Sequence, residues 1–169
     1  PKYRGPSPIQ STILNGEKPA GVSIIEMYEE VDHGPVIHTS EFELSSQDTF
    51  DSLSKKMFLD SAETLKTIIP EFTRGKLVPK EQDHTKATFC RHIQKENGLF
   101  DINNPPTVEQ LDRMIRAYYP WPSVWTKWNG KIVKFYPKDQ IQMEGKKPTD
   151  LQSFLRGHPD FPIRSLSVY

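Results

Sequence analysis

Apolar residues in the first 42 positions are spaced to predict a short helix followed by two strands. Residues 8–14 (PIQSTIL) place apolar side chains at helical spacing, with Ser7 as a typical N-cap and a proline at the first helical position. Asn15-Gly16 ends this helix. The β-branched stretches at 21–27 (GVSIIEM) and 35–42 (PVIHTSEF) predict two strands, joined by the polar turn YEEVDHG.

A long amphipathic helix is predicted over residues 45–72. Ser45 and Asp48 have the spacing of a capping box at its start, and the sequence Arg74-Gly75-Lys76 provides a C-terminal stop. The apolar residues that recur near helical spacing are Phe50, Leu53, Met57, Leu65, Ile68, Ile69 and Phe72.

A second helix and a hairpin are predicted near the C-terminus, after an irregular stretch. Thr107 caps an amphipathic helix that reaches Tyr118, and the Tyr-Pro-Trp-Pro sequence at 119–122 closes it. The sequence SVWTKWNGKIVKFY then predicts a β-hairpin with Asn129-Gly130 at its turn.

The charge and cysteine content limit the kinds of partner and cellular compartment that fit the sequence. The chain has 22 basic and 22 acidic residues, so its net charge does not indicate a nucleic-acid or membrane partner. The charge is unevenly placed, because residues 105–169 hold ten Lys/Arg against six Asp/Glu. The single cysteine, Cys90, excludes an internal disulfide and fits a reducing compartment, and the sequence has no apolar run long enough to span a membrane.

Asp32 is the candidate for acid–base chemistry. It lies in a Val-Asp-His-Gly turn between the two predicted strands, with Glu29 and Glu30 just before this turn. Loops held by rigid strands are common positions for reactive carboxylates. Asp-x-Gly is equally ordinary in turns, so a purely structural Asp32 remains an alternative.

The histidines do not have the spacing of a known metal motif. His33 and His38 lie near Asp32, and His84 and His92 lie in the irregular stretch, but none fits a zinc pattern. We therefore expect no metal.

Aromatic and basic residues are interleaved in the hairpin. Three tryptophans and three lysines there could stack on single-stranded nucleic acid, or the tryptophans could form the core of a small β domain. They are Trp121, Trp125, Trp128, Lys127, Lys131 and Lys134.

Several stretches, in the same order along nearly the whole chain, resemble the folate-dependent formyltransferases. Residues 1–37 (PKYRGPSPIQ to HGPVI) resemble the segment that follows that family's Asn-x-His motif. Further matches are Gln82-Asp83, Ala87-Thr88-Phe89 and Lys95-Glu96-Asn97-Gly98 in the family's linker, Tyr119-Pro120-Trp121-Pro122 before its C-terminal domain, and Gly145-Lys146-Lys147-Pro148 with Phe154-Leu155-Arg156-Gly157 near its end.

The resemblance implies transfer of a formyl group from 10-formyltetrahydrofolate to the amino group of methionyl-initiator tRNA. Asp32 then orients a histidine or a water and assists proton transfer, while an asparagine and a histidine stabilise the charge on the carbonyl oxygen. Pro1, Glu30, Val31 and Asp32 are expected to line the folate pocket. The expected protein is a monomer without a metal, cytoplasmic in a bacterium or organellar in a eukaryote.

The resemblance also implies an α/β fold, in which the C-terminal part of a Rossmann-like domain is followed by a small OB-like β-barrel. The expected division is residues 1–78, a linker at 79–104, and a C-terminal domain at 105–169. Between Phe135 and Ile141 the sequence has only YPKDQ, where the family has several strands, so the barrel should be trimmed or open. The candidate contacts to tRNA phosphates are Lys131, Lys134, Lys146 and Lys147.

The sequence leaves two alternatives open. One is a formyltransferase that acts on an amino sugar nucleotide, and the other is a non-catalytic RNA-binding module in which Asp32 is a turn residue. We expect the Asn-x-His motif to lie before Pro1, and we therefore expect the 169-residue chain alone to be inactive.

Overall fold

The computed structural model describes residues 2–167. The first helix, α1, spans Pro8–Leu14, and the strands β1 (Ala20–Ile25) and β2 (Val36–Phe42) follow as predicted. The strands pair antiparallel, with an irregular register between Ile24 and Ile25. Ser7 precedes α1 as predicted, but its hydroxyl donates to the carbonyl oxygen of Arg91 and makes no cap bond.

The long helix, α2, spans Phe50–Thr73 and begins five residues later than predicted. Its capping box is formed by Thr49 and Ser52, so the predicted cap at Ser45 and Asp48 is wrong. Those two residues instead form a turn before the helix, in which Asp48 accepts from the Ser45 backbone N–H at 2.9 Å. The predicted stop is confirmed, because Gly75 has the positive φ of 70° that favours glycine.

The C-terminal part contains α3 (Val108–Ala117), capped by Thr107 as predicted, and a four-stranded antiparallel sheet in the order β3-β4-β5-β6. The strands are β3 (Val124–Trp128), β4 (Lys131–Tyr136), β5 (Gln140–Met143) and β6 (Thr149–Asp150), and α4 (Leu151–Gly157) follows them. The hairpin at Asn129-Gly130 is confirmed, whereas β5, β6 and α4 were not predicted as elements.

No closed barrel forms within residues 2–167, so the expected OB-like barrel is not confirmed. The sheet is a simple meander, in which β4 and β5 are joined by a three-residue turn at 137–139. Lys138 and Asp139 both have positive φ in that turn, which lets the chain reverse at once. The outer edge of β3 is partly covered by residues 99–100, because the Phe100 N–H donates to the Trp125 carbonyl at 3.1 Å, and the two-residue β6 forms the other edge.

One continuous hydrophobic core joins both parts of the chain. It runs from Ile13 and Leu53 to Phe135 and Phe161, all of which are at most 1% exposed. Each such large apolar side chain contributes about 1.5–3 kcal/mol when buried. The boundaries at 78 and 104 stay a prediction.

Candidate active site

The turn between β1 and β2 holds Asp32 where the two strands end. The Glu26 backbone N–H donates to the Pro35 carbonyl at 3.0 Å and closes the hairpin beside the turn. Asp32 has a φ of 58°, a left-handed conformation that aspartate tolerates better than most residues. The turn is therefore ordered at its base and strained at Asp32.

The Asp32 carboxylate is half-buried and held on one side. Its Oδ2 accepts from the Gly5 backbone N–H at 2.9 Å, which ties the turn to the connector before α1. Within residues 2–167, Oδ1 accepts no hydrogen bond. One carboxylate oxygen is thus fixed, and the other has no hydrogen-bond partner among residues 2–167.

Gln82 and Arg4 complete the support of the turn. The Gln82 amide donates to the carbonyl oxygens of Asp32 and Gly34, at 3.0 and 2.6 Å. Its own oxygen accepts from Arg4 Nη2 at 2.9 Å, and Arg4 is only 5% exposed. Residue-by-residue reasoning did not identify either side chain, although Gln82-Asp83 is part of the family resemblance.

Two histidines and a glutamate extend this network. The rings of His33 and His84 stack with centroids 4.8 Å apart, and His84 Nδ1 lies 3.1 Å from Arg4 Nη2. Because arginine only donates, His84 Nδ1 is the acceptor in this contact. His33 Nδ1 lies 2.7 Å from Glu30 Oε2, so Glu30 is drawn toward the ring stack.

Polar contacts also anchor the connector that carries Arg4. The Tyr3 hydroxyl donates to Glu17 at 2.8 Å, and Lys2 pairs with the same carboxylate at 3.0 Å. Burial, and then the hydrogen bond with Glu17, raise the pKa of Tyr3 above its ordinary value. The hydrogen bonds from Tyr3 and Lys2 lower the pKa of Glu17. This group fixes residues 2–4 beside the turn.

The residues predicted to line a folate pocket are contiguous and largely open to solvent. Val31 is 77% exposed, and Glu30 borders an open depression of about 680 Å³ together with Met27, Tyr28 and Glu29. Pro1 lies outside the described residues. Of the predicted folate-binding residues that the structure describes, Glu30 borders this depression, whereas Val31 and Asp32 do not.

A second cavity, also of about 680 Å³, lies between the segment before α2 and the turn from β4 to β5. The buried ion pair of Asp112 and Arg116 borders it, with a closest distance of 2.9 Å. Arg116 also donates to the Asp48 carbonyl at 3.2 Å and so joins α3 to the start of α2. None of the predicted site residues lines this cavity.

The four predicted tRNA contacts are exposed, and three lie at one end of the sheet. Lys131 follows the Asn129-Gly130 turn, and Lys146 and Lys147 lie in the turn between β5 and β6. The antiparallel pairing of β4 with β5 brings these two turns to the same end. Lys134 lies further along β4. In the part of the chain described, none of the four is within 4.0 Å of a carboxylate.

The three tryptophans have different surroundings. Trp128 packs edge-on against Phe161 at 5.2 Å, so it belongs with the core. Trp121 is 57% exposed and does not belong to the core. Trp125 lies cross-strand from Lys134, and Lys95 Nζ sits 5.9 Å from the centre of its ring. The interpretation of all three as core residues is therefore wrong for Trp121, whose side chain stays largely in solvent.

Neither a metal cluster nor a membrane span is found within residues 2–167. No group of three or more His, Cys, Asp or Glu side chains in this range is arranged to hold a metal ion. No helix in the same range is both long and apolar enough to cross a bilayer.

Two family models match the chain. One, described as formyl transferase, matches residues 1–69, and the other, described as formyl transferase, C-terminal domain, matches residues 92–139. Together the two matched ranges cover more than half of the 169 residues.

Curated relatives carry the name methionyl-tRNA formyltransferase. The one from Chloroflexus aurantiacus is 36% identical over 134 residues, which are 79% of this chain and 43% of the relative. The one from Buchnera aphidicola is 34% identical over 141 residues, which are 83% of this chain and 44% of the relative. The chain therefore spans less than half the length of these relatives.

Solved structures show the same fold at lower identity. HypX from Aquifex aeolicus in complex with tetrahydrofolic acid matches with a TM-score of 0.68 at 19% identity, over 90% of this chain and 33% of that one. Methionyl-tRNA formyltransferase from Clostridium thermocellum matches with a TM-score of 0.61 at 21% identity, over 88% and 61%. An N-formyltransferase from Helicobacter canadensis, in complex with folinic acid and dTDP-3-aminofucose, matches with a TM-score of 0.62 at 18% identity, over 84% and 58%.

Proposed function

The chain belongs to the formyl transferase family, and we propose that its full-length protein transfers the formyl group of 10-formyltetrahydrofolate to the amino group of methionyl-initiator tRNA. The relatives named methionyl-tRNA formyltransferase, at 34–36% identity, carry this choice of acceptor. We infer that the four-stranded sheet is a shortened form of the OB-like barrel, and that the protein acts as a monomer.

In this reaction the amine nitrogen bonds to the formyl carbon, and the bond from that carbon to N10 of the folate breaks. A proton leaves the attacking nitrogen, and N10 gains one. Asp32 suits the proton-handling role, because Gly5 fixes one carboxylate oxygen at 2.9 Å while the other is free. We place the folate against the depression that Glu30 borders, next to the Asp32 turn.

The negative charge that develops on the formyl oxygen as the amine adds to the formyl carbon needs hydrogen-bond donors. The family resemblance assigns this role to an Asn-x-His motif, and residues 1–169 contain no such sequence. We therefore propose that these residues alone do not catalyse the transfer, so activity has to be measured with the full-length gene product.

The lysines at the end of the sheet support an RNA partner. Lys131, Lys146 and Lys147 are brought together from two turns, and all three are exposed. Lys134 lies cross-strand from Trp125, so a cation and an aromatic side chain share one face of the sheet. Phosphates and unpaired bases are bound by such groups.

The substitution Asp32→Asn tests the proposal. Asparagine still accepts a hydrogen bond from Gly5 but does not take up a proton, so kcat should fall by roughly 10²–10⁴-fold while the unfolding midpoint stays unchanged. Glu41→Gln is the control, because it removes an exposed carboxylate from β2 that does not border the depression.

The acceptor is identified by comparing rates with methionyl-initiator tRNA and with an amino sugar nucleotide. If transfer to the amino sugar nucleotide is faster than transfer to the tRNA, the proposed acceptor is wrong. Wild-type kcat in the Asp32→Asn variant would show that Asp32 is only a turn residue.

A further inference from the structure

The segment at residues 80–90, which lies in the predicted linker, is hydrogen-bonded to β2, to the Asp32 turn and to the connector before α1. Lys80 and Val36 exchange two backbone hydrogen bonds of 2.8 Å, so the segment is fixed to the start of β2. At its other end, the backbone N–H of Arg4 donates to the Thr88 carbonyl, and the backbone carbonyl of Arg4 accepts from the Cys90 N–H, both at 2.8 Å. Gln82 lies between these two attachments.

Every donor of the Gln82 amide is used, and its direction is determined. The two N–H bonds point at the carbonyl oxygens of Asp32 and Gly34, while the amide oxygen faces Arg4. A flipped amide would set N–H against the guanidinium and an oxygen against two carbonyls. Three partners from two other segments therefore fix the same orientation of the Gln82 amide.

Arg4 strengthens this arrangement. It is 5% exposed, and no carboxylate within residues 2–167 lies within 4.0 Å of its guanidinium. Its charge acts instead on the Gln82 oxygen, which polarises the amide and makes the opposite N–H groups stronger donors. The carbonyls on both sides of His33 are thus held by one polarised amide.

Asp32 needs such support, because its left-handed backbone conformation is higher in free energy than an ordinary one and persists only when neighbouring groups hold it. The bond from Gly5 positions its carboxylate, but it does not fix the backbone of the turn. Gln82 does so by holding the carbonyl of Asp32 itself and that of Gly34.

We propose that Gln82, polarised by Arg4, is a positioning residue that holds the 32–34 turn so that the Asp32 carboxylate faces the reacting groups. This inference rests on the proposed formyl transfer. It assigns Gln82 no contact with either substrate.

The test compares Gln82→Glu with wild type in the full-length protein. Glutamate keeps an oxygen for Arg4, and gains an ion pair with it, but turns oxygen toward the two carbonyls. The unfolding midpoint should therefore stay near that of wild type. We expect kcat to fall at least roughly tenfold, with an unchanged KM for methionyl-initiator tRNA.

Hydrogen exchange provides a readout that does not depend on activity. In Gln82→Glu, peptides covering residues 26–36 should exchange faster than in wild type, because the carbonyls that fix the turn lose their donors. Glu81→Gln is the matched control, because Glu81 is the exposed neighbour of Gln82. It should leave kcat and exchange unchanged.

The outcomes separate this inference from the proposed function. Unchanged kcat in Gln82→Glu overturns the inference, whether or not exchange rises, and so does a tenfold loss shared by Glu81→Gln. If wild type transfers no formyl group, the proposed function is wrong, and the exchange of residues 26–36 alone decides whether Gln82 holds the turn.

Discussion

Gly34 determines how closely the backbone can approach itself at the base of the Asp32 turn. A Cβ atom added to Gly34 would lie 1.6 Å from the Glu26 carbonyl oxygen and 2.8 Å from its carbon. Ordinary C···O contacts begin near 3.3 Å, so the two strands would have to separate by about 1.7 Å. Gly34→Ala therefore tests whether this close approach holds the site together.

The cost follows from the interactions that such a separation breaks. The 3.0 Å bond between the Glu26 N–H and the Pro35 carbonyl would break, at about 1 kcal/mol. Forcing extra volume into packed backbone adds about 1–3 kcal/mol. We expect Gly34→Ala to destabilise the full-length protein by about 2–4 kcal/mol and to lower kcat, because the Gly34 carbonyl moves away from Gln82.

Urea unfolding and kcat measure these two effects, with Gly157→Ala as the control. A Cβ at Gly157, in the last position of α4, meets no atom within 4 Å. Alanine there should leave stability unchanged or raise it slightly. If Gly34→Ala and Gly157→Ala unfold at the same urea concentration and have the same kcat, the argument from close approach is refuted.

Two further predictions concern the C-terminal part. Replacing the four lysines (Lys131, Lys134, Lys146 and Lys147) by alanine should weaken tRNA binding and flatten its salt dependence by about one unit of slope for each phosphate that is no longer neutralised; an unchanged slope would exclude them. Hydrogen bonds from Ser153 lower the pKa of Asp150, so its contribution to stability is present above the ordinary pKa and disappears as the pH falls through the lowered one. Thermal unfolding should show wild type above Asp150→Asn at neutral pH, and the two should converge as the pH falls below the lowered pKa of Asp150; a constant difference would contradict this.

Local signals in the sequence predicted most of the elements, because each depends on residues that are close in the chain. The Asn129-Gly130 hairpin and the Thr107 cap are both of this kind. The start of α2 was misplaced because two capping patterns lie within eight residues. Thr49 and Ser52 prevail over Ser45 and Asp48, since the Asp48 carboxylate is used in the preceding turn.

The open sheet could not be predicted in detail for a different reason. The short sequence between Phe135 and Ile141 indicated that strands of a barrel were lacking, but not how the remaining strands would pair. That pairing depends on the positive φ of Lys138 and Asp139, which allows an immediate return of the chain. Neither residue type requires such a conformation.

The support of Asp32 was beyond local reasoning, because Arg4 and Gln82 are 78 residues apart in the chain. The structure nevertheless accounts for the residue type at position 82. Two carbonyls and one guanidinium require two donors and one acceptor on the same side chain, and only the amides of glutamine and asparagine provide them. Asparagine is one methylene shorter, and contacts of 2.6–3.0 Å to three groups leave no slack for it. The glutamine at position 82 is therefore required by contacts with two segments that lie far from it along the chain.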